Sequence, residues 1–329
     1  MHNSSLMLAI DAGGTSTRAT LLNTAGECLG YGRSGPGNPV SSGLDRVMHS
    51  YREAIEQSLE MAGRALDDFR SLTIAMAGGS THSPISGMAE AFKTINPSSE
   101  VVIESDLLAT YFSGTYHGDG YALVAGTGAV CARIRNFSLD RVTDGTGWLL
   151  GDHGSGYWIG YHCARAVAAD LDGIGPATAM TALLTEQLGL QHSAASFEGR
   201  PARLQAMIQT IYALRPIELA AFAVIVFQAA AAGDSVAGDL LSKAGQLLSH
   251  SLRTTRSAEV TGPLVLGGSI LSSRSVIEDE LASELAGQAV FRVPDGLAGA
   301  ALLALRHAGV RVDQEIFTRI GSSLSALRS

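Results

Sequence analysis

The sequence predicts an α/β protein of two lobes that face one central cleft. Short apolar runs that end in glycine turns recur along the chain, and segments with helical spacing separate several of them. Residues 8–20 and 122–134 also share one pattern, a strand, a glycine–threonine turn and a returning strand. This weak internal repeat suggests two related lobes, although hairpins with glycine turns are common.

The first half of the chain opens with hairpins. Apolar runs bounded by turn residues predict strands at residues 6–11, 17–23, 27–33, 72–76 and 101–103. Apolar side chains spaced three or four residues apart indicate a helix over residues 44–63. The order of these elements predicts two hairpins followed by parallel crossovers.

A second lobe is predicted to begin near Gly118, so we divide the chain into residues 1–117 and 118–329. A helical tail over residues 312–329 could pack back on the first lobe. The strand patterns and the glycine-rich segment of this half lie at residues 121–124, 130–135, 144–160 and 264–266.

Composition excludes several classes of protein. A chain of 329 residues is long enough for two domains, and 46% hydrophobic against 16% charged residues argues against disorder. The net charge is −8 and no run of lysine or arginine occurs, so the sequence gives no indication of a nucleic-acid partner.

The cysteines and the most apolar run indicate where in the cell the protein is expected to be. Cys28, Cys131 and Cys163 lie far apart, so neither a zinc site nor a disulfide framework is indicated, and we expect a reducing, cytoplasmic location. Residues 219–232 form the most apolar run, which is too short to span a bilayer. We interpret it as a buried helix that follows Pro216, and we expect no membrane partner.

The first glycine turn (Gly13, Gly14 and Thr15) has the composition of a phosphate-binding turn. Its glycines let backbone N–H groups approach phosphate oxygens without a β-carbon in the way, and Thr15 adds a hydroxyl donor. Asp11 would repel a bare phosphate, so its position makes sense through Mg²⁺. An ordinary hairpin with an aspartate beside the turn is the alternative, but a carboxylate at the end of a buried strand is costly without a role.

Two further turns follow apolar strands. The second glycine turn (Gly126, Thr127 and Gly128) would hold phosphates from the opposite lobe, and the third glycine turn (Gly267 and Gly268) would let an adenine ring lie flat against the backbone. The third turn is equally well explained as the start of a helix. No Walker-type phosphate loop is present in the sequence, and no Gly-x-Gly-x-x-Gly follows a strand and opens a helix, so hairpin turns must do the phosphate binding.

In this order, the three turns resemble the phosphate-1, phosphate-2 and adenosine motifs of the actin, chaperone and hexokinase superfamily. Together with Gly37-Asn38-Pro39, residues 145–158 and residues 172–176, they resemble the N-acetylglucosamine kinase branch of the BadF/BadG/BcrA/BcrD ATPase family. The resemblance spans most of residues 6–306, is weakest over about 190–260, and is most specific at Gly-Trp-x-x-Gly-Asp-x-Gly-Ser, residues 147–155.

The resemblance implies two actin-like (ribonuclease H-like) lobes, with residues 1–117 on the acceptor side and 118–329 on the nucleotide side. It also implies ATP and Mg²⁺ as cofactors, phosphorylation of an amino sugar at its 6-hydroxyl, and a homodimer. Which sugar is used, among N-acetylglucosamine, glucosamine, N-acetylmuramic acid and glucose, stays open at this point, because the loops that read the sugar cannot be placed.

Asp106 is the candidate catalytic base, since it follows an apolar strand at the end where α/β sheets present ligands, and the resemblance indicates the same residue. It could also cap a helix that starts at Leu107. The resemblance further indicates Asn38 and Asp152 as sugar contacts, for which a turn residue and a solvated loop carboxylate are the alternatives. Gly78 and Gly79 are expected to line the sugar pocket or to bend the chain after a strand.

Two other functions remain possible on the same fold. One is an ATP-driven activator of an acyl-CoA dehydratase, which would need cysteines placed to hold an iron–sulfur cluster. The other is an ATP-binding regulator or filament protein without catalytic activity, which would hydrolyse ATP slowly and without stimulation by sugar.

Overall fold

The computed structural model describes residues 6–76, 92, 99–193, 195–272 and 276–329, without the side chains of residues 40, 41 and 276. The strands are β1 (Leu6–Ala12), β2 (Thr17–Leu22), β3 (Cys28–Ser34), β4 (Phe69–Met76), β5 (Glu100–Ser105), β6 (Gly120–Ala125), β7 (Ala129–Arg135), β8 (Ser138–Asp144), β9 (Ser196–Phe197), β10 (Arg200–Pro201), β11 (Leu264–Gly267) and β12 (Val290–Val293). The helices are α1 (Pro39–Ser42), α2 (Leu44–Met61), α3 (Asp106–Gly114), α4 (Gly156–Asp172), α5 (Met180–Gln187), α6 (Ala202–Tyr212), α7 (Ala223–Ala231), α8 (Ser235–Thr255), α9 (Val276–Leu285), α10 (Leu297–His307) and α11 (Gln314–Arg328).

Two five-stranded sheets share one topology. The first has the order β3-β2-β1-β4-β5, and the second has the order β12-β11-β6-β7-β8. In each sheet the first three strands along the chain form an antiparallel meander. The fourth strand of the sheet then pairs in parallel with the first, and the fifth pairs in parallel with the fourth. The weak repeat in the sequence is therefore a repeat of the fold, as expected for two ribonuclease H-like lobes.

The sequence pattern missed the outermost strands of the second sheet. The strands expected from buried apolar runs are confirmed, whereas β8 and β12 were not predicted. Most of their side chains are exposed or half-buried, so neither strand carries an apolar run that could reveal it.

Two helices fill the space between the sheets. The hydrophobic cluster around them contains side chains of both sheets, among them Met7 and Ala9 of the first and Ala122 and Ala132 of the second. Here α3 and α10 cross so closely that a β-carbon on Gly299 would lie 1.8 Å from the carbonyl oxygen of Ala109. A small side chain at this crossing is what allows the two helices to share one layer.

The last helix, α11, lies on the first sheet. Ser323 accepts a hydrogen bond from the N–H of Cys28 at 3.0 Å, and Arg319 donates to the carbonyl oxygen of Ala25 at 2.9 Å. The tail therefore packs beside β3, although it follows the second sheet in the chain. The division of the chain at residues 117 and 118 stays a prediction.

The expected buried helix after Pro216 is present, but it does not run as one α-helix over residues 219–232. A 3-10 helix, Pro216–Phe222, precedes the shorter α7. Within the described part of the chain, no single helix is long and apolar enough to cross a membrane. Pro216–Ala231 and Ser235–Thr255, which are bent by 119° relative to each other, would be long and apolar enough only as a pair.

The Gly299 crossing can be tested by adding one methyl group. Gly299→Ala places a β-carbon against backbone, which cannot move aside as a flexible side chain would, so we expect the free energy of unfolding to fall by about 1–3 kcal/mol. The measurement is urea unfolding followed by circular dichroism.

Gly238→Ala is the matched control. Gly238 lies inside α8, and apart from its chain neighbours and the nearby backbone of its own helix, no atom of the described residues is within 4 Å of the position its β-carbon would take. Alanine there should leave stability unchanged or raise it by up to about 1 kcal/mol. Equal effects of the two substitutions would show that the crossing is loosely packed.

Candidate functional site

The first glycine turn follows β1 and joins it to β2. The N–H of Gly13 donates to the carbonyl oxygen of Ser16 at 3.0 Å, which closes the turn, and Gly14 and Thr15 are exposed. The N–H of Gly37 donates to the carbonyl oxygen of Gly13 at 2.9 Å. This bond holds the loop that carries Asn38 beside the first glycine turn.

The second glycine turn occupies the equivalent place between β6 and β7. The N–H of Gly126 donates to the carbonyl oxygen of Gly128 at 2.9 Å. The start of α4 lies directly against this turn, because Gly156 and Tyr157 donate their N–H groups to the carbonyl oxygens of Gly126 and Thr127, at 2.7 and 3.1 Å. The turn is half-buried and braced by the helix.

The third glycine turn lies against the second. Gly268 has a φ of +89°, and a β-carbon on it would lie 2.3 Å from the carbonyl oxygen of Ala125. The same oxygen accepts the N–H of Ile270 at 3.0 Å. The two turns thus form one continuous backbone surface at the end of β6 and β11.

Contacts across the lobes bring the first glycine turn to the same region. The N–H of Gly296, just before α10, donates to Oδ2 of Asp11 at 3.0 Å. Gly267 pairs with Val124 on one side and Val293 on the other, so the strands that lead to the second turn and to the segment that contacts Asp11 lie two strand spacings apart in one sheet, at about 4.8 Å each. The carboxyl ends of both sheets therefore face one another.

Asp11 is a buried carboxylate at this junction. Burial first, and then the charge of Asp295, raise the pKa of Asp11 to about 7, while Arg18 and the Gly296 N–H act in the opposite direction. Its Oδ2 atom receives both the Gly296 N–H and Nη1 of Arg18, the latter at 3.4 Å. Among the described residues, no hydrogen bond reaches Oδ1.

Asp106 is the first residue of α3, close enough to Asp11 for their charges to interact. Burial raises the pKa of Asp106 to about 6, and the N–H groups of Leu107 and Asp106 lower it in part. The expectation that Asp106 caps a helix from Leu107 is wrong, since Ser105 is the N-cap and accepts the N–H of Leu107 at 3.2 Å. Asp106 therefore does not serve as the N-cap of α3.

Asp152 lies at the second glycine turn. Its side chain is 7% exposed, its φ is +57°, and its Oδ1 atom accepts the N–H of Ala129 at 3.3 Å. Burial raises the pKa of its carboxyl group. It is therefore not the solvated loop carboxylate that composition alone would allow.

Asp144 organises the loop that leads to Asp152. Its Oδ1 atom accepts the N–H groups of Gly145 and Asp152, at 2.9 and 2.8 Å, and its Oδ2 atom accepts the N–H of His153 at 2.9 Å. The His153 ring nitrogen Nδ1 lies 3.1 Å from the same Oδ2. Asp144 therefore holds this loop together.

The sequence reasoning missed the groups that hold Asp11. Arg18 is the cross-strand neighbour of Asp11, and Asp295 and Gly296 lie in the segment between β12 and α10. The Pro-Asp-Gly run at residues 294–296 is a turn signal, but nothing in it indicates contact with β1. Gly78 and Gly79, which were expected near the sugar, lie outside the described residues.

Two sheets of one topology, with glycine turns at facing carboxyl ends and a buried carboxylate between them, define the class of actin-like ATPases and sugar kinases. A profile of the BadF/BadG/BcrA/BcrD ATPase family matches residues 8–304, and the chain belongs to this family. The family is one of ATPases, so ATP is the nucleotide that the fold is built to use.

Named relatives are amino-sugar kinases. The chain is 26% identical over 327 residues to an N-acetyl-D-glucosamine kinase of Dictyostelium discoideum, with 91% of this chain and 98% of that protein covered. It is 29% identical over 171 residues to the glucosamine kinase GspK of Vibrio cholerae, where the match covers 52% of this chain and 57% of that enzyme.

Solved structures agree on the fold. A proposed N-acetylglucosamine kinase from Chromobacterium violaceum superimposes with a TM-score of 0.75 at 22% identity, over 92% of this chain and 99% of that chain. A glucokinase of the ROK family from Streptomyces griseus, in complex with glucose and AMPPNP, gives a TM-score of 0.55 at 18% identity, over 92% and 100%. At these identities the likeness establishes the fold alone.

Asp144→Ala tests how the loop at residues 145–153 is held. Without the carboxylate, three N–H groups lose their acceptor, and each unmade bond costs about 1–3 kcal/mol where water cannot replace it. We expect hydrogen exchange at Gly145, Asp152 and His153 to accelerate about tenfold or more, measured by NMR or by mass spectrometry with peptide-level resolution.

Asp140→Ala is the control, because Asp140 lies on the same strand but pairs with Arg133 and Arg135. It should leave the three amides unchanged. Unaltered exchange in Asp144→Ala would mean that the loop is held by other contacts.

Proposed function

We propose that the protein transfers the γ-phosphoryl group of ATP to a hydroxyl of an amino sugar, N-acetylglucosamine or a close relative, at the 6-position. The observation that carries the proposal is the proximity of Asp11, which is buried, and Asp106, which is half-buried, two carboxylates with raised pKa values, where glycine turns of both lobes converge. The names of the relatives support the choice of an amino sugar.

The residues around Asp11 fit a magnesium ion. Mg²⁺ is usually held by one or two carboxylates together with phosphate oxygens and water, and Asp11 offers an oxygen to which the described residues donate no hydrogen bond. The described residues contain no cluster of three His, Cys, Asp or Glu side chains that could hold a metal by themselves, which fits an ion shared with a nucleotide. Bound there, Mg²⁺ would neutralise charge on the phosphates.

The glycine turns are suited to the phosphates and the base. In the first turn (Gly13, Gly14, Thr15) and the second (Gly126, Thr127, Gly128), the N–H groups of Gly13 and Gly126 close the turns, and those of the other residues would contact phosphate oxygens from opposite lobes. The third turn (Gly267, Gly268) would lie against adenine. These are contacts to backbone, so a net charge of −8 does not oppose them.

Asp106 would accept the proton of the attacking hydroxyl. A carboxylate with a pKa of about 6 is ionised at neutral pH and is a stronger base than an ordinary aspartate, as general base catalysis requires. Because the raised pKa means protonation as the pH falls through about 6, turnover should decline on that acid side. Asn38, Asp152, Gly78 and Gly79 are the proposed sugar contacts.

Assembly and location are further parts of the proposal. We expect a homodimer, by likeness to the family, and a cytoplasmic location, in keeping with three unpaired cysteines. The small-molecule acceptor is the expected partner.

The alternative of a dehydratase activator finds little support in the cysteines. Cys28, Cys131 and Cys163 are all buried, and burial raises the pKa of Cys131 and of Cys163 to about 12. An iron–sulfur cluster held between subunits needs accessible thiolates at the surface. The alternative of a regulator without activity leaves the half-buried Asp106 carboxylate without a function.

A panel of sugars tests the proposal. ADP release from MgATP is followed by a coupled assay with N-acetylglucosamine, glucosamine, N-acetylmuramic acid and glucose, and the product is examined by ³¹P and ¹³C NMR. We expect N-acetylglucosamine or a close relative to stimulate ADP release strongly and to carry phosphate at carbon 6. Slow hydrolysis that no sugar stimulates would contradict the proposed function.

Asp106→Asn separates chemistry from binding. The amide cannot accept the proton, so we expect the turnover number to fall about 10²–10⁴-fold, while ADP binds with unchanged affinity by calorimetry. Glu104→Gln is the control, because Glu104 lies two residues earlier on β5 and pairs with His307. Near-normal turnover in Asp106→Asn would contradict the assignment of the base.

A further inference from the structure

The segment before α10 contacts Asp11 at two points. Directly, the N–H of Gly296 donates to Oδ2 of Asp11 at 3.0 Å. Indirectly, the preceding residue, Asp295, holds Arg18 through Nε at 3.3 Å, and Nη1 of Arg18 lies 3.4 Å from the same Oδ2. Both contacts therefore fall on one oxygen of Asp11.

Arg18 is fixed between two carboxylates. Arg18 and Asp11 are direct cross-strand neighbours in β1 and β2, so their side chains lie on one face of the sheet. The side chains of Arg18 and Asp295 are 19% and 9% exposed, a setting in which charges are screened little by solvent. Without Asp295, the guanidinium could turn and bind both oxygens of Asp11 as a fork, which is its preferred arrangement with a carboxylate.

Arg328 of α11 completes this arrangement. Its Nη2 atom lies 3.0 Å from Oδ1 of Asp295. Four charges then alternate in sign, Asp11, Arg18, Asp295 and Arg328, so the second arginine offsets the repulsion between the two carboxylates. We call these four residues the Asp11 network.

Asp295 also has a local structural role. Its Oδ1 atom accepts the N–H of Leu297 at 3.0 Å, at the start of α10. Asparagine can make this bond equally well, because its side-chain oxygen is an acceptor in the same place. The charge of Asp295 and its capping bond can therefore be separated by one isosteric substitution.

We propose that Asp295 is a positioning residue for metal-dependent nucleotide binding, which keeps Arg18 on one oxygen of Asp11 and leaves the other oxygen for the magnesium ion. The inference rests on the proposed function, since it depends on Asp11 contacting the metal. The inference goes beyond the proposed function because it assigns a role in metal-dependent binding to a segment that lies 285 residues from Asp11 in the chain.

Asp295→Asn tests the proposal in a binding experiment that does not require turnover. The affinity for ADP is measured by calorimetry twice, in saturating Mg²⁺ and in EDTA. Loss of an outer contact to a metal ligand commonly costs 10–100-fold in metal affinity, so we expect the dissociation constant in Mg²⁺ to rise about tenfold. The dissociation constant in EDTA should stay unchanged, and in turnover assays the KM for Mg²⁺ should rise more than kcat falls.

Asp313→Asn is the matched control. Asp313 caps α11 by accepting the N–H of Ile316 at 3.0 Å, so the same substitution at a second helix start should leave both constants unchanged. Asp295→Ser, which also keeps a capping oxygen and removes the charge, should reproduce the effect of Asp295→Asn if that variant is unstable.

The outcomes distinguish this inference from the proposed function. If Asp295→Asn binds ADP in Mg²⁺ as tightly as the wild type, or loses affinity equally in EDTA, Asp295 has no positioning role and only the inference fails. If the wild type binds ADP identically with and without Mg²⁺, the inference fails and the proposed function is unaffected. If no sugar stimulates ADP release by the wild type, the proposed function fails and the inference with it.

Discussion

The burial of one carboxylate at the junction of two lobes is the constraint on which the rest of this structure depends. Asp11 ends the central strand of the first sheet, where burial disfavours its charge and raises its pKa to about 7. A charged group in such a place needs partners, and the described residues supply them from elsewhere in the fold, an N–H from Gly296 and a guanidinium from Arg18. The position of Asp11 is therefore set by both lobes at once.

The packing between the lobes places the second carboxylate. Asp106 begins α3, and this helix crosses α10 with almost no space between the backbones at Ala109 and Gly299. Because Gly296, the residue just before α10, also contacts Asp11, the same pair of packed helices supports both carboxylates. A site that must hold a phosphoryl donor and an acceptor in line benefits from such shared support.

Much of the fold could be predicted because local sequence patterns, apolar runs and glycine turns, mark its strands. Buried strands followed by glycine turns show up as apolar runs with abrupt ends, which is why β1, β2, β6 and β7 were found and why their similarity suggested two lobes. Strands such as β8 and β12 escaped, since exposed edge strands carry no such signal. The break at Phe222 escaped as well, because an apolar run does not reveal where a 3-10 helix gives way to an α-helix.

The residues of the candidate site also divide into those that the sequence could predict and those that it could not. Asp11 and Asp106 could be proposed from sequence, because each is a carboxylate at the end of a buried or half-buried strand, where it is costly without a role. Their partners could not, because Arg18 looks like any polar residue of a hairpin and Asp295 like any turn residue. Only the folded chain brings residues 11 and 296 into contact. The different roles of Asp144 and Asp152 within the loop at residues 144–153 could not be predicted either. An aspartate that accepts backbone N–H groups and one that binds a ligand have the same sequence signature.

The most direct test of the account is a crystal structure of the protein with a non-hydrolysable ATP analogue, Mg²⁺ and N-acetylglucosamine. We expect one nucleotide whose phosphates contact backbone N–H groups of both the first and the second glycine turns. We also expect a metal ion held by Asp11 directly, at about 2.1 Å, or through one water, and a sugar hydroxyl within hydrogen-bond distance of Asp106. A nucleotide that contacts one glycine turn and leaves the other in solvent would contradict this account.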